Sequence, residues 1–172
     1  MASKVGKLSH DRLIEVLDYN PQTGVWTWLI GNPKCKAGDI AGCICLTCDG
    51  KRYRYIGVDG YRYKSQRLAW FYMTRDWPDG QITQKDYDSL NDAFANLRVA
   101  TCSQRNASAR LRKDNTSGYK GVSWNKSVKK YQSYIKKDYK RINLGWFDDP
   151  WLAHLKYQEA AHHYHGNFAR AS

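Results

Sequence analysis

From Lys130 to Lys136 the chain reads KYQSYIK, and the alternation divides these residues between two faces. Tyr131, Ser133 and Ile135 share one face, and Lys130, Gln132, Tyr134 and Lys136 share the other. Such a strand is buried on one side only, so it must lie in an antiparallel sheet with something apolar packed beneath it. The flanking sequence supplies both. Tyr119–Trp124 and Arg141–Phe147 are further short strands. Asp148 or Asp149 can cap a helix with Pro150 in its first turn, and Ala153, Tyr157, Ala160, Ala161 and Tyr164 recur at helical spacing until Gly166 ends it. The C-terminal part is therefore expected to be a small three-stranded antiparallel sheet packed on one helix, and the chain as a whole α+β.

The face turned away from that helix is polar and cationic. Strand one offers Ser123 and Asn125 if Val122 and Trp124 point inward, and strand three offers Arg141 and Asn143 if Ile142 and Leu144 do. With Lys130, Gln132, Tyr134 and Lys136 they form a surface able to contact phosphates and base edges in a major groove. The charge is distributed accordingly. The 172 residues carry a formal net charge of +12. Residues 1–100 hold 14 basic and 11 acidic side chains, whereas residues 101–172 hold 14 basic and 5 acidic. Concentration of the excess in one part of a chain is the electrostatic footprint of a polyanion binder. With 7 Trp, 13 Tyr and 4 Phe there is enough buriable surface to exclude a wholly disordered basic chain. No apolar run is long enough for a transmembrane helix, and the opening MASKVGKLSHDR lacks a secretory signal. A cytoplasmic protein that engages no membrane is expected.

Before the C-terminal sheet, Ser9 can cap a short helix over His10–Asp18, and Asn20-Pro21-Gln22-Thr23-Gly24 is a turn. Val25–Trp28, Gly38–Leu46 and Lys51–Val58 are strand-like, and Asp59-Gly60 marks a two-residue hairpin into Tyr61. A second helix is expected from about Ser65 to Met73. The stretch CSQRNASARLRKDNTSG is small, polar and basic; Arg105, Arg110, Arg112 and Lys113 make it either a strap along phosphates or a solvated tether. Cys43, Cys45 and Cys48 have part of the spacing of a zinc site, but no second Cys or His pair follows at finger-like distance. The alternative is a set of small apolar residues near a hairpin, with Cys43 and Cys45 on one strand face.

YKGVSW, KYQSYIK, INLGWF and LAHLKYQEAA resemble the plant ethylene-response-factor (Apetala-type) DNA-binding domain, which also occurs in phage nucleases. The resemblance implies a sheet seated in the major groove, with contacts at Lys120, Gly121, Ser123, Asn125, Lys136, Arg141 and Asn143. Lys120, Ser123 and Asn125 stand where that family often has Arg, so its base preference is not expected to carry over.

LDYNPQTGVWTW, KAGDIAG, QRLAWFYMTRDWPDGQI and ANLRVATCSQRN resemble phage HNH homing endonucleases of the ββα-metal type. In active members an Asp-His pair follows GQI. The Asp holds a divalent metal, the His is the general base, a later Asn orients the His, and a helix residue adds a ligand. Here those positions are Thr83, Gln84, Asn96 and Arg105, with Asn106 adjacent to the last if the register slips by one. Thr is a poor ligand for magnesium, a Gln amide does not titrate, and Arg repels a cation. No His lies between Asp11 and Ala153, so none nearby in sequence replaces the base. Asp86 and Asp88, with Asp92, are the remaining carboxylates that could hold a metal there.

The resemblances divide the chain into an HNH-endonuclease-like domain (1–101), a basic helix end and linker (102–117) and an ethylene-response-factor-like domain (118–172). They imply a pseudo-nuclease that occupies double-stranded DNA without a cofactor, for regulation, competition or protection in a bacterial host. The competing expectations are an active nicking or homing endonuclease using Mg²⁺ or Mn²⁺ through substituted ligands, and a phage protein that binds a host or phage protein.

Overall fold

In the computed structural model, which describes residues 8–170 except 32, 34, 49, 113, 138 and 139, Ser9 accepts a hydrogen bond from Arg12 N at 3.2 Å. That cap starts helix α1 (His10–Val16), which buries Leu13 and Val16. The helix ends two residues before Asp18 because Leu17 is already extended and opens strand β1 (Leu17–Tyr19). β1 pairs antiparallel with β2 (Trp26–Trp28), Tyr19 opposite Trp26. Asn20 Oδ1 accepts from Gln22 N and Thr23 N in the connecting turn, the local bond that makes Asn a turn residue.

The expected strand Gly38–Leu46 shortens to β3 (Cys43–Leu46), with a single bridge between Thr27 and Ile40 upstream. β3, β4 (Arg52–Val58) and β5 (Tyr61–Lys64) form an antiparallel meander in that order. Asp59 and Gly60 both take positive φ, 49° and 80°, as a two-residue hairpin matched to strand twist requires. Helix α2 (Ser65–Thr74) buries Leu68, Ala69 and Phe71. Phe71 stacks on Trp77 with ring centroids 4.3 Å apart, and Ile56, Val58, Leu13, Leu17 and Trp26 complete one apolar core. Strand β6 (Gln81–Gln84) pairs with β7 (Leu97–Ala100), and the loop 85–96 runs between them.

The chain divides into two units, residues 1–99 and 100–172. Residues 102–117, expected as a helix end and linker, belong to the second unit. Cys102–Ala107 is a helix, α3, closed by a capping box in which Thr101 accepts from Gln104 N and Gln104 accepts from Thr101 N. Beyond it come β8 (Val122–Asn125), β9 (Lys130–Lys137), β10 (Lys140–Phe147) and helix α4 (Pro150–His165). The three strands form one antiparallel sheet with β9 in the centre, and Asp149 rather than Asp148 caps α4. Ile135, Tyr157 and Ala161 are the buried centre of this unit. The architecture is α+β, as the strand and helix periodicities predict. Among the described residues, no helix is long and apolar enough to cross a membrane.

Candidate nucleic-acid interface

Register fixes which side chains leave the second unit's sheet together. Val122 and Ile142 lie opposite Ser133 and Ile135, the two fully buried positions of β9, so all four face α4. The alternate residues face away. Ser123 lies opposite Gln132, Asn125 opposite Lys130, Tyr134 opposite Asn143, and Lys136 opposite Arg141. Every sheet position expected at the interface apart from Lys120 and Gly121 therefore shares one face. Trp124 shares Val122's side and packs edge-on to Tyr131 at 4.8 Å, but the residue remains 45% exposed.

Trp146 joins the outward face and was not among the expected positions. Strict alternation from Ile142 and Leu144 would turn it inward. A bulge between Asn143 and Gly145 absorbs one residue and sets Trp146 opposite Gln132. Gly145 takes a φ of +130° there, and its N–H donates to Asn143 Oδ1 at 3.3 Å. A glycine inside an otherwise alternating strand is the sequence signal for such a bulge.

The outward side chains are mutually ordered. Arg141 Nη2 donates to Gln132 Oε1 at 2.9 Å, and Gln132 Nε2 donates to Asn143 Oδ1 at 3.3 Å. The Arg141 guanidinium also lies 3.7 Å above the Tyr134 ring. Lys130 Nζ reaches Asp148 at the rim, 3.1 Å away. Asn125 Oδ1 is taken by Ser127 N and Val128 N, so this carboxamide shapes the β8–β9 turn. No outward register position carries Asp or Glu, and Lys136 and Arg141 are cross-strand neighbours of like sign. Such pairs cost stability in an isolated sheet, and an anionic ligand relieves the cost.

Two positions expected among the contacts have structural roles. The Lys120 amine donates to the carbonyls of Ala107, Ala109 (2.7 Å) and Arg170 (3.1 Å), so it ties the end of α3 to the C-terminal segment. Burial lowers its pKa to about 8. Gly121 has φ +76°, and a Cβ there would meet the Tyr157 ring 2.0 Å away. His154 and His165, which in sequence resemble part of a solvated helix end, are buried; His154 Nδ1 is 2.9 Å from Lys120 O. Arg105, Arg110 and Arg112 are exposed along residues 100–112 of this unit, with Arg105 Nη2 donating to Asn106 Oδ1 and Arg112 3.9 Å from Asp114. Lys113 lies outside the described residues.

In the first unit, the positions matched to nuclease chemistry are built into the interior or the loop. Gln84 is buried and donates to Asp92 Oδ1 at 3.1 Å. Asp92 is 1% exposed, and its second oxygen and the nearby Ser65 hydroxyl have no hydrogen bond of good geometry. Burial pushes the Asp92 carboxyl up to about 6, against the opposing influence of Ser65, Gln84 and the charge of Arg54. The Thr83 hydroxyl is buried without a partner. Asn96 does not orient Gln84. Its Oδ1 accepts from Lys85 N and Asp86 N, and its Nδ2 donates to Asp86 Oδ1 and Asn91 O, which stitches the loop 85–96 closed.

The carboxylates of this loop are engaged by the loop's own donors. Asp86 accepts from Asp88 N, Asn96 Nδ2 and Asn91 Nδ2, and Asp88 accepts from Leu90 N, so the loop already uses the carboxylates. These donors hold the Asp86 carboxyl below its usual range in spite of burial. Among the described residues, no group of three or more His, Cys, Asp or Glu is placed to hold a metal. That includes Cys43, Cys45 and Cys48. Cys43 and Cys45 do share a strand face, as their spacing predicts, with sulfurs 3.8 Å apart and Arg62 Nη2 donating to Cys45 Sγ at 3.0 Å.

The chain is 35% identical over 63 residues to Protein 3.8 of Escherichia phage T7. The match covers 37% of this chain, and the chain spans about half the length (52%) of that relative. No protein-family model matches the chain. No solved structure matches it either.

Proposed function

We propose that this chain binds double-stranded DNA through the outward face of the β8–β9–β10 sheet, and that it holds DNA without cutting it. The observation that carries the reading is a face with no Asp or Glu at its register positions, on which Lys136 and Arg141 stand opposite each other beside the hydrogen-bonded Gln132–Asn143 pair. Lysine and arginine suit phosphates, and the carboxamides and guanidinium suit base edges. The resemblance of this segment to ethylene-response-factor domains supports the same groove and the same face.

The non-cutting half of the proposal rests on side-chain chemistry. Gln84 stands where the resemblance to HNH nucleases requires a base, and its amide neither titrates nor faces solvent. Thr83 and the loop-bound Asp86 and Asp88 offer no ligand set for a divalent ion. On this reading the protein acts by occupying DNA, as a regulator, a competitor of a related nuclease or a protector of a phage genome. The similarity to a phage protein supports that setting.

Fluorescence anisotropy with a labelled duplex across a salt series tests the first half. Binding is expected to weaken steeply and linearly in log–log form, and salt-insensitive or absent binding would direct attention to a protein partner instead. Incubating supercoiled plasmid with Mg²⁺ or Mn²⁺ tests the second half. Nicking that disappears in Asp86→Ala or Asp88→Ala would establish an active nuclease and overturn it. Activity appearing only after Thr83→Asp, Gln84→His and Arg105→Asn together would support the loss of chemistry proposed here.

A further inference from the structure

A second surface of related chemistry lies on the first unit. In the β3–β4–β5 meander, Ile56 and Val58 are buried in the core, so the residues alternating with them on β4 face the other way. Register places Cys45 beside Tyr53, and Cys43 and Lys64 on either side of Tyr55. Arg62 lies opposite Gly57 and, with no side chain in its way there, reaches across. Its guanidinium sits 5.0 Å from the Tyr55 ring centroid and donates to Cys45 Sγ. Lys64 Nζ lies 4.0 Å above the Tyr53 ring.

This face therefore carries two cations laid on two phenol rings beside two thiols. None of its register positions is Asp or Glu. A cation held on an aromatic face is already ordered, so less side-chain entropy is lost when it meets an anion. The face bears no carboxamide, unlike the second unit's sheet, and its one guanidinium is already laid against Tyr55 and Cys45 Sγ, so it has fewer groups with which to read base edges. We propose that this meander face is a second DNA-contacting surface, on which Arg62 and Lys64 take the phosphodiester backbone irrespective of sequence. The proposal rests on the reading that the chain binds DNA, and adds a site to it.

The native thiols give a readout that needs no substitution. In the wild-type chain, saturating 24-base-pair duplex is expected to slow iodoacetamide alkylation of Cys43 several-fold, followed by peptide mass spectrometry, and 0.5 M salt is expected to restore the rate. Arg62→Gln with Lys64→Gln should lower the log–log salt slope of binding by about 2, equally for two unrelated duplexes, at about 0.9 per lost phosphate contact. Circular dichroism confirms that the variant is folded. An unchanged Cys43 rate and slope, while Lys136→Ala still lowers the slope, would overturn this surface and leave the proposed function standing. No duplex binding at all would overturn both. Protection of Cys43 by phosphatidylglycerol vesicles but not by duplex would overturn it in favour of an anionic lipid surface.

Discussion

Asp92→Asn should stabilise the first unit, and by an amount that depends on pH. Asp92 is almost completely buried, with one oxygen bonded to the Gln84 amide and the other beside the Ser65 hydroxyl without a hydrogen bond of good geometry. Its carboxyl titrates near 6 in the folded chain, against an ordinary value of 3.8. A raised folded-state value means that the native state favours the protonated form. The stability Asp92 contributes is thus fully present below about pH 4 and is lost as pH rises through about 6. At about 1.4 kcal/mol per unit, the loss between these limits is on the order of 3 kcal/mol. Asparagine removes the charge, keeps an oxygen for Gln84 Nε2 and turns the second acceptor into a donor toward the Ser65 oxygen. The expected gain is on the order of 2–3 kcal/mol at pH 8, about 1 kcal/mol at pH 4.5, and falls toward zero below about pH 3.5. For a unit of this size it raises Tm by about 10 °C or more at the higher pH. Calorimetric scans of wild type and variant at half-unit pH intervals measure it, and subtracting one profile from the other removes every other titrating group. A difference that stays constant with pH, or a variant less stable at pH 8, would refute the assignment of a strained buried carboxylate.

Three further outcomes follow from the second unit. Lys136→Ala should lower the salt slope of DNA binding by about 0.9, whereas Lys130→Ala should lower it by less, because Lys130 is already paired with Asp148; anisotropy titrations compare them. Lys120→Met strands three carbonyls and should cost on the order of 2–4 kcal/mol in urea unfolding, while the slope measured on the folded fraction stays at the wild-type value. Gly121→Ala places a methyl group inside the Tyr157 ring at a left-handed backbone position, and should destabilise the unit by about 3 kcal/mol or more, read as a lowered Tm.

Local chemistry made much of the architecture legible. Asp59-Gly60 can bridge two strands in one way, and Pro150 with Asp149 can begin a helix in one way; both elements stand where the residues place them. α3 was harder to see, because Cys102–Ala107 has no apolar period; its only local signal is the Thr101–Gln104 capping box. The burial of His154 and the tethering of the Lys120 amine had no local signal at all. The carbonyl that meets His154 is 34 residues away in sequence, and one that meets the Lys120 amine is 50 away. A buried polar side chain is recognised by its partners, and tertiary structure alone supplies these.

The candidate interface was legible to the extent that alternation survives. Arg141, Asn143, Gln132 and Lys136 follow from a period of two, and Trp146 escaped it because one glycine bulge resets the phase. Charge was legible in quantity but not in placement. The excess of basic residues on 101–172 points to the second unit, yet the near-balanced count on residues 1–100 conceals a cationic face. Several of the acids that offset it are engaged elsewhere: Asp59 is bound to Arg12, Asp86 and Asp88 close the loop 85–96, and Asp92 is in the interior. A carboxylate consumed by a helix or a loop leaves the net charge of the sequence unchanged while leaving a neighbouring sheet face positive. Net charge over a segment therefore understates what a polyanion meets, and the register of the sheet is the better guide to where binding is to be sought.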